Sequence, residues 1–279
     1  VDLESFGMPP CLILKSDGAT IYATRDLAAG LYRYRTYNFH KCLYVVGNTQ
    51  ALHFRQIFQV LKMMGFDWAD NMNFVGTALV KFADRKLATR SGDIIYAKEV
   101  LSEAAEKTLE IIDTKNSNLA NKADVAKKVG MGAVAYTILK NNKDKNIIFS
   151  WEDILSFEGD SGPYVQYTCV RGKSVLRKAG ELPATADYST LVTDEEFTLV
   201  KLLDGFKAAL KEAAERYEPF VITRHVTEIA KAYNKFYNSH PIMNAEPDLK
   251  AARLHLTKSV CSVIETGLSM IGIEVPENM

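Results

Sequence analysis

The spacing of hydrophobic and polar positions changes character near residue 98. Before it, short apolar runs alternate with helical stretches, and the clearest case is LYVVGNTQALHF at 43–54. This stretch predicts a buried strand, a tight turn at Gly47 and the start of a helix that ends at Gly65. The apolar run NFVGTALV at 73–80 predicts a further strand. In an open α/β sheet, ligands bind beyond the carboxyl ends of the strands, so we expect Gly47, Gln50 and His53 to line a small-molecule crevice. The alternative, on this stretch alone, is a plain structural turn.

A β-hairpin is predicted at the start of the chain. The apolar run CLILK at 11–15 and the β-branched stretch TIYAT at 20–24 flank the turn residues Ser-Asp-Gly. The second strand should lead into a helix through LAAGLYRYRTY, with Thr24 or Asp26 as the N-cap. Two successive strand–helix units predict that the strands pair in parallel.

From residue 98 onward, apolar positions recur at the three- and four-residue steps of helices. This spacing runs through EVLSEAAEKTLEIID and ADVAKKVGMGAVAYTILK, and strand patterns nearly vanish. Beyond residue 159, the predicted helices span 161–179, 194–217, 220–238 and 248–271. The whole pattern therefore predicts an α/β module followed by a helix bundle.

Length and charge narrow the class of protein. The chain has 279 residues, which suggests about two domains, and its 34 basic and 34 acidic residues leave no net charge to attract nucleic acid or membrane. Its four cysteines and five histidines show no metal-ligand spacing, so we expect neither a structural metal nor a disulfide. The apolar runs are too short to cross a membrane, and VDLESFG at the start is acidic where a signal peptide would be basic.

Three polar side chains near the predicted crevice could hold a guanidinium group. Tyr22 ends a predicted strand, Asp26 follows one turn later, and Gln50 enters from the next strand–helix unit. Together they offer a phenolic oxygen, a carboxylate and an amide, which suit the planar, fixed N–H donors of a guanidinium. The alternative, on spacing alone, is that Asp26 caps its helix and Tyr22 packs in the sheet.

A short polar loop, KLATRSG at 86–92, carries two cations, two hydroxyls and a glycine. Cations beside a bound nucleotide can neutralise the charge that develops on pyrophosphate as it leaves. The chain has no glycine-rich phosphate-binding sequence to support this role, so the alternative is a solvated surface loop.

The predicted helix at 161–179 starts with Ser-Gly-Pro, a capping residue followed by an early proline. Along it, Tyr164, Tyr167, Arg171 and Ser174 recur at three- and four-residue steps, and the basic residues meet no acidic one. Such a face can stack unpaired bases and hold phosphates. The alternative is that the tyrosines lie in the bundle core while the basic residues face solvent.

These stretches, in this order, resemble arginyl-tRNA synthetases, a family of class I aminoacyl-tRNA synthetases. The resemblance spans nearly the whole chain and rests on KSDGATIYATRDLAA, YVVGNTQALHF, KLATRSGD, SFEGDSGPYVQY and GLSMIGIEVPENM. It implies an α/β architecture, in which the C-terminal half of a Rossmann-like catalytic domain precedes an all-α DALR anticodon-binding bundle. The implied boundaries are 1–118 for the catalytic part, 119–158 for a helical connector and 159–279 for the DALR domain.

The resemblance also implies roles for individual side chains. The residues implied to bind the substrate arginine are Tyr22, Asp26 and Gln50, and those implied to bind ATP are Gly47, His53 and Lys86. The loop resembles the KMSKS signature of the family, which gives as catalytic residues Lys86, Thr89 and Arg90. The anticodon contacts fall on Tyr167, Tyr237 and Met279, with Arg171 as a phosphate contact. ATP is the expected co-substrate, with Mg²⁺, and no residue is assigned to a metal.

We therefore expect an ATP-dependent arginine–tRNA ligase, which joins L-arginine to tRNA(Arg) through an arginyl-adenylate. No sequence like the HIGH signature of the family precedes residue 20, so we expect a C-terminal portion that is inactive alone. The alternative is a non-catalytic fragment that binds tRNA through its bundle. A helical scaffold, the third class, would need neither the acceptor trio nor the basic aromatic helix. A monomeric, cytoplasmic protein is expected.

Overall fold

Residues 1–82 and 95–279 are described by a computed structural model, with the side chain of Phe82 excepted. They divide into two units, each of which has a hydrophobic core. The units comprise Val1–Leu79 with Lys143–Asn146, and Val80–Asn142 with Ile147–Met279.

The first unit contains a parallel pair of strands. β1 (Cys42–Gly47) and β2 (Met72–Thr77) lie side by side in parallel over their whole length. The connection between them contains α2 (Ala51–Met63), and the chain turns after this helix at Gly65, whose φ of 83° favours glycine. The strand, the helix and the glycine at its end, all predicted from the pattern around 43–54, are therefore confirmed. The predicted burial of the strand is wrong, because Leu43 and Val45 are exposed and only Tyr44 is buried.

The hairpin predicted at the start of the chain is wrong in its second strand. Leu14 and Thr20 form an isolated antiparallel bridge, but 20–24 does not continue as a strand. Instead, α1 (Tyr22–Tyr37) begins inside this stretch. The preference of β-branched side chains for strands is weak and context-dependent, so local hydrogen bonds can override it.

The first turn of α1 shows such hydrogen bonds. The N-cap is Ile21, so both N-caps predicted from the sequence, Thr24 and Asp26, are wrong. The N–H of Ile21 donates to Oγ1 of Thr24 at 3.3 Å, and this hydroxyl donates in turn to the carbonyl of Ile13. A backbone N–H at the helix start thereby gains a partner within the first turn, which favours a start at Tyr22.

The core of the first unit holds α1 and α2 against the strands. Phe54, Ile57 and Leu61 recur at helical spacing on one face of α2 and are buried. They belong to the same apolar cluster as Leu27 of α1 and Tyr44 of β1. This packing fixes the two helices that carry the predicted substrate residues.

The second unit begins with another short parallel pair, β3 (Val80–Phe82) with β4 (Ile147–Phe149). The prediction of 73–80 as one strand is therefore wrong at its end, because β2 stops at Thr77 and β3 starts at Val80. The strand β4 was not predicted, since three residues are too few to show a period.

The two helices predicted after residue 98 are α3 (Ala97–Lys115) and α4 (Lys122–Leu139). They pack backbone to backbone at Gly130 of α4. A Cβ atom at this position would lie 2.6 Å from the carbonyl oxygen of Ala104, so the close approach requires a glycine.

Longer helices follow, and their ends lie within one residue of those predicted from the sequence. After the short α5 (Trp151–Ile154) come α6 (Gly162–Ala179), α7 (Asp194–Arg216), α8 (Pro219–Ser239) and α9 (Pro247–Met270). Tyr136 of α4 is buried in their core, and its hydroxyl bonds to Thr227 of α8. In the described part of the chain, no helix combines the length and apolarity that a membrane span requires.

Candidate substrate pocket and anticodon-side cavity

The first unit brings two predicted substrate residues into contact. Asp26 lies in the second turn of α1, and its Oδ2 is 2.6 Å from Nε2 of His53 on α2. The side chains of His53 and Asp26 are 28% and 31% exposed. The sequence predicts that Asp26 binds arginine and that His53 binds ATP. Two residues predicted to bind different substrates are therefore hydrogen-bonded to each other.

Tyr22 and Gln50 lie at two helix starts. The sequence predicts that Tyr22 ends a strand, but in the structure it is the first residue of α1. It still shares a helix face with Asp26, one turn later. Its side chain is 79% exposed. Gln50 is also exposed and ends a short 3₁₀ helix, Asn48–Gln50, between β1 and α2. Within the described residues, no hydrogen bond joins Gln50 to Tyr22 or Asp26.

The residue that follows β1, Asn48, packs against Gly76 of β2, a glycine that the sequence analysis did not single out. Gly47 has a φ of −59°, which other residues also adopt. The side chain of Asn48 instead lies directly against Gly76 of β2, where a Cβ atom would collide with its Oδ1. Asn48 also donates to Oδ1 of Asp144 at 3.3 Å. Asn48 is thus fixed beside the carboxyl end of β1, which is the place where a ligand is expected.

Three predicted catalytic residues, Lys86, Thr89 and Arg90, lie outside the residues that the structure describes. Their roles in transition-state stabilisation stay predictions. The predicted contact of Lys86 with ATP stays a prediction for the same reason.

The second unit brings all four predicted anticodon residues to one cavity. It has a volume of about 500 Å³ and is lined by Tyr167 and Arg171 of α6, Tyr237 of α8 and the C-terminal Met279. Residues of the α3–α4 connection and of the C-terminal half of α6 complete the lining, among them Asn116, Asn118, Arg177 and Lys178. We call this space the α6–α8 cavity.

The guanidinium of Arg171 lies close to both tyrosine rings. Its central carbon is 4.9 Å from the ring centre of Tyr167 and 5.2 Å from that of Tyr237. Attraction between a cation and the face of an aromatic ring stabilises this arrangement. Its Nη1 donates to Oδ1 of Asn234 at 2.8 Å, so the guanidinium has a hydrogen-bond partner as well as two aromatic neighbours.

The tyrosines of the cavity are not core residues. Tyr167 and Tyr237 are each 38% exposed, whereas Tyr233 and Phe236, on the same helix as Tyr237, are fully buried. Burial raises the pKa of the Tyr233 phenol, as expected for a group removed from water. Tyr233 and Phe236 thus belong to the core, and the alternative that placed Tyr167 in the core is wrong.

The C-terminal tail is fastened to α6, which places Met279 in the cavity. Arg177 donates to the carbonyl of Glu277 at 3.1 Å and to Oδ1 of Asn278 at 2.9 Å. Lys173 pairs with the carboxylate of Glu277 at 3.4 Å. Burial would lower the pKa of Lys173, but its carboxylate partners outweigh this effect and raise it. No local sequence signal marks these contacts, because the tail and α6 are about a hundred residues apart.

Two known families match separate parts of the chain. Residues 1–151 match the family described as tRNA synthetases class I (R), catalytic domain, and residues 165–279 match the DALR anticodon binding domain. The chain belongs to the arginyl class I tRNA synthetases. The predicted family and the predicted order of a catalytic α/β part and a helical DALR domain are confirmed.

Curated relatives are closely similar to this synthetase chain. It is 57% identical over 280 residues to an arginine–tRNA ligase of Clostridium botulinum, covering 100% of this chain and 50% of the relative. A Clostridium kluyveri arginine–tRNA ligase is 54% identical over 281 residues, covering 99% of this chain and 50% of its own length. The chain thus spans about half the length of the curated relatives it matches.

Solved synthetase structures have the same fold. The Thermus thermophilus arginyl-tRNA synthetase superposes with a TM-score of 0.89 at 28% identity, covering 96% of this chain and 51% of that one. The Plasmodium falciparum arginyl-tRNA synthetase gives a TM-score of 0.78 at 20% identity, covering 96% and 46%, and supports the fold alone.

The contrast between the two tyrosines of α8 gives a stability prediction. Tyr233→Ala should lower the free energy of unfolding by roughly 3 to 5 kcal/mol, because it empties a fully buried site. Tyr237→Ala should lower it by less than about 1 kcal/mol, because its ring is partly exposed. Urea denaturation of the whole chain measures both. Equal losses would mean that Tyr237 is a core residue after all.

Proposed function

We propose that this chain is part of an arginine–tRNA ligase, in which it selects L-arginine, contacts ATP and binds the anticodon of tRNA(Arg). The observation that carries the proposal is the α6–α8 cavity, because the four residues predicted to contact the anticodon loop all line it. The relatives of twice this length, which bear the name arginine–tRNA ligase, support the same activity.

The cavity suits the unpaired bases of an anticodon loop. Aromatic rings that are partly exposed can stack on any base, and Tyr167 and Tyr237 offer two such rings. Arg171 adds a positive charge beside them, and Lys178 lies on the same lining. Cations near stacked bases neutralise backbone phosphates, so binding should combine stacking with salt-dependent attraction.

The pair of Asp26 and His53 suits the substrate arginine. Among the described residues, the hydrogen bond of Asp26 is made by Oδ2, so its second oxygen is available to a guanidinium N–H. Tyr22 lies one turn earlier on the same face and can add a phenolic oxygen. Gln50 can add an amide from the start of α2, although it is not joined to the others by a hydrogen bond.

ATP binding and the chemical step are assigned to the end of β1 and to the polar loop at 86–92. Gly47 and His53 would lie against ATP, and Lys86, Thr89 and Arg90 would neutralise charge on the departing pyrophosphate. The product, arginyl-adenylate, would then be attacked by the terminal ribose of the tRNA. Mg²⁺ is expected to accompany the phosphates of ATP, although no cluster of three or more His, Cys, Asp or Glu in the described chain could hold a metal.

Binding without catalysis is the second candidate function. It is favoured by one observation, that the lining of the α6–α8 cavity lies wholly within the second unit. Arginine-dependent ATP–pyrophosphate exchange separates the two candidates. We expect exchange when the chain is joined to the half of the Clostridium botulinum relative that it does not cover. If the joined protein shows no exchange, binding without catalysis is favoured.

A monomeric state and a cytoplasmic location stay predictions.

The anticodon assignment predicts a selective loss of RNA binding. Tyr167→Ala and Tyr237→Ala should each weaken binding of an arginine-tRNA anticodon stem-loop by about tenfold or more, since stacking one base is worth roughly 1 to 3 kcal/mol. Fluorescence anisotropy with the whole chain measures the affinity. The control is Tyr188→Ala, which removes an exposed tyrosine outside the cavity and should change nothing. Equal losses in all three variants would contradict the assignment.

The arginine assignment predicts a substrate-selective defect. In the joined enzyme, Asp26→Ala should raise the KM for arginine by about 25-fold or more, because a lost charge-assisted pair costs roughly 2 to 5 kcal/mol. The KM for ATP should change little, as measured by pyrophosphate exchange. Asp70→Ala, which removes an exposed carboxylate paired with Lys62, is the control. An equal rise in the KM for arginine and the KM for ATP would contradict the assignment.

A further inference from the structure

The side-chain amide of Asn234, on α8, is bonded to three groups of α6. Its Oδ1 accepts from Nη1 of Arg171 at 2.8 Å. Its Nδ2 donates to Oγ1 of Thr168 at 2.8 Å and to the hydroxyl of Tyr164 at 3.0 Å. An arginine has only donors, so the oxygen of the amide must face it, and the amide has one orientation. Both ends of Asn234 are therefore fixed by α6.

This amide decides where the guanidinium of Arg171 can lie. The rings of Tyr167 and Tyr237 attract its positive charge, but this attraction has little directional preference within the plane of the guanidinium. The bond to Asn234 supplies that preference, because it fixes one edge. The remaining N–H groups then point in defined directions within the α6–α8 cavity.

Asn234, which accepts the hydrogen bond of Arg171, carries no charge. Among the described residues, no carboxylate forms an ion pair with Arg171, whereas Lys173 and Arg177 on the same helix both pair with Glu277. A carboxylate at position 234 would hold the guanidinium equally well but would cancel its charge. An amide holds it and leaves the charge available to a phosphate or a base edge.

We propose that Asn234 is a positioning residue for RNA recognition, which orients the Arg171 guanidinium beside the two tyrosines while leaving its charge uncompensated. The proposal rests on the proposed anticodon-binding function. Asn234 acts through Arg171 and sets how well the cavity distinguishes one unpaired base sequence from another. The charge of Arg171 attracts any RNA, whatever its base sequence and whatever the orientation of the guanidinium.

The test compares two RNAs on the whole chain. One is an arginine-tRNA anticodon stem-loop, and the other is the same hairpin with its anticodon bases substituted. Fluorescence anisotropy gives the affinity for each RNA at several salt concentrations. The variants are Asn234→Ala, Asn234→Asp, Arg171→Ala and the Arg171→Ala/Asn234→Ala double variant. The control is Asn238→Ala, which changes the same residue type one turn along α8, outside the cavity lining.

The variants should separate orientation from charge. Asn234→Ala should reduce the ratio of the two affinities by about tenfold, with little change for the substituted RNA, because an oriented hydrogen bond is lost and the charge stays. Asn234→Asp should weaken both RNAs and flatten the slope of log affinity against log salt by about 0.7, the value for one phosphate contact on a single strand. Asn238→Ala should match the parent.

The double variant tests whether Asn234 acts through Arg171. It should bind within about twofold of Arg171→Ala alone, since a residue that only orients Arg171 has nothing to add after its removal. If the two single losses multiply, the proposal is wrong. It is also wrong if Asn234→Ala weakens both RNAs equally while the melting temperature falls, because Asn234 would then only clamp α6 to α8.

Two further outcomes keep the proposal separate from the proposed function. If the parent chain binds both RNAs equally, anticodon recognition fails and the role of Asn234 fails with it. If the parent and Arg171→Ala differ in discrimination but Asn234→Ala matches the parent, only the role of Asn234 is overturned. Should Asn234→Ala not fold, Thr168→Val removes one anchor of the amide and should cause a partial loss of discrimination in the same direction.

Discussion

Close packing of the inner face of α6 is the constraint on which the α6–α8 cavity depends. Val165 and Cys169 are fully buried, and a Cβ atom at Gly172 would collide with the sulfur of Cys261 on α9. These positions recur at steps of four and three residues. Because the inner face is fixed in this way, the opposite face must present Tyr167 and Arg171 outward. The geometry of the α6–α8 cavity is thus set by residues that do not line it.

Helical periodicity made much of this fold predictable. The ends of the long helices after residue 159 fall within one residue of the prediction, because apolar spacing, N-caps and terminal prolines agree there. The stretch 20–24 was predicted as a strand because β-branched residues favour strands weakly. Hydrogen bonds around Ile21 and Thr24 make it the start of a helix instead. Three-residue strands such as β4 carry too little pattern to be predicted.

Residues of the candidate sites could be predicted from the sequence only where the residue type by itself indicates what the side chain can bind. Aromatic and cationic residues on α6 indicated a surface for unpaired bases, but the role of Asn234 depends on contacts between two helices. The tail that brings Met279 to the cavity likewise depends on Arg177, with no local signal. Asp26 and His53 were predicted for different substrates, and their contact could not be read from positions 27 residues apart.

Photocrosslinking tests the central claim, that the α6–α8 cavity binds the anticodon, most directly. A photoreactive uridine placed at each anticodon position in turn would be irradiated in complex with the whole chain, and the joined peptides identified by mass spectrometry. The account predicts crosslinks to peptides that contain Tyr167, Tyr237 or the C-terminal Met279. Crosslinks confined to the α7–α9 groove, which is lined by Tyr188 and Phe197, would contradict it.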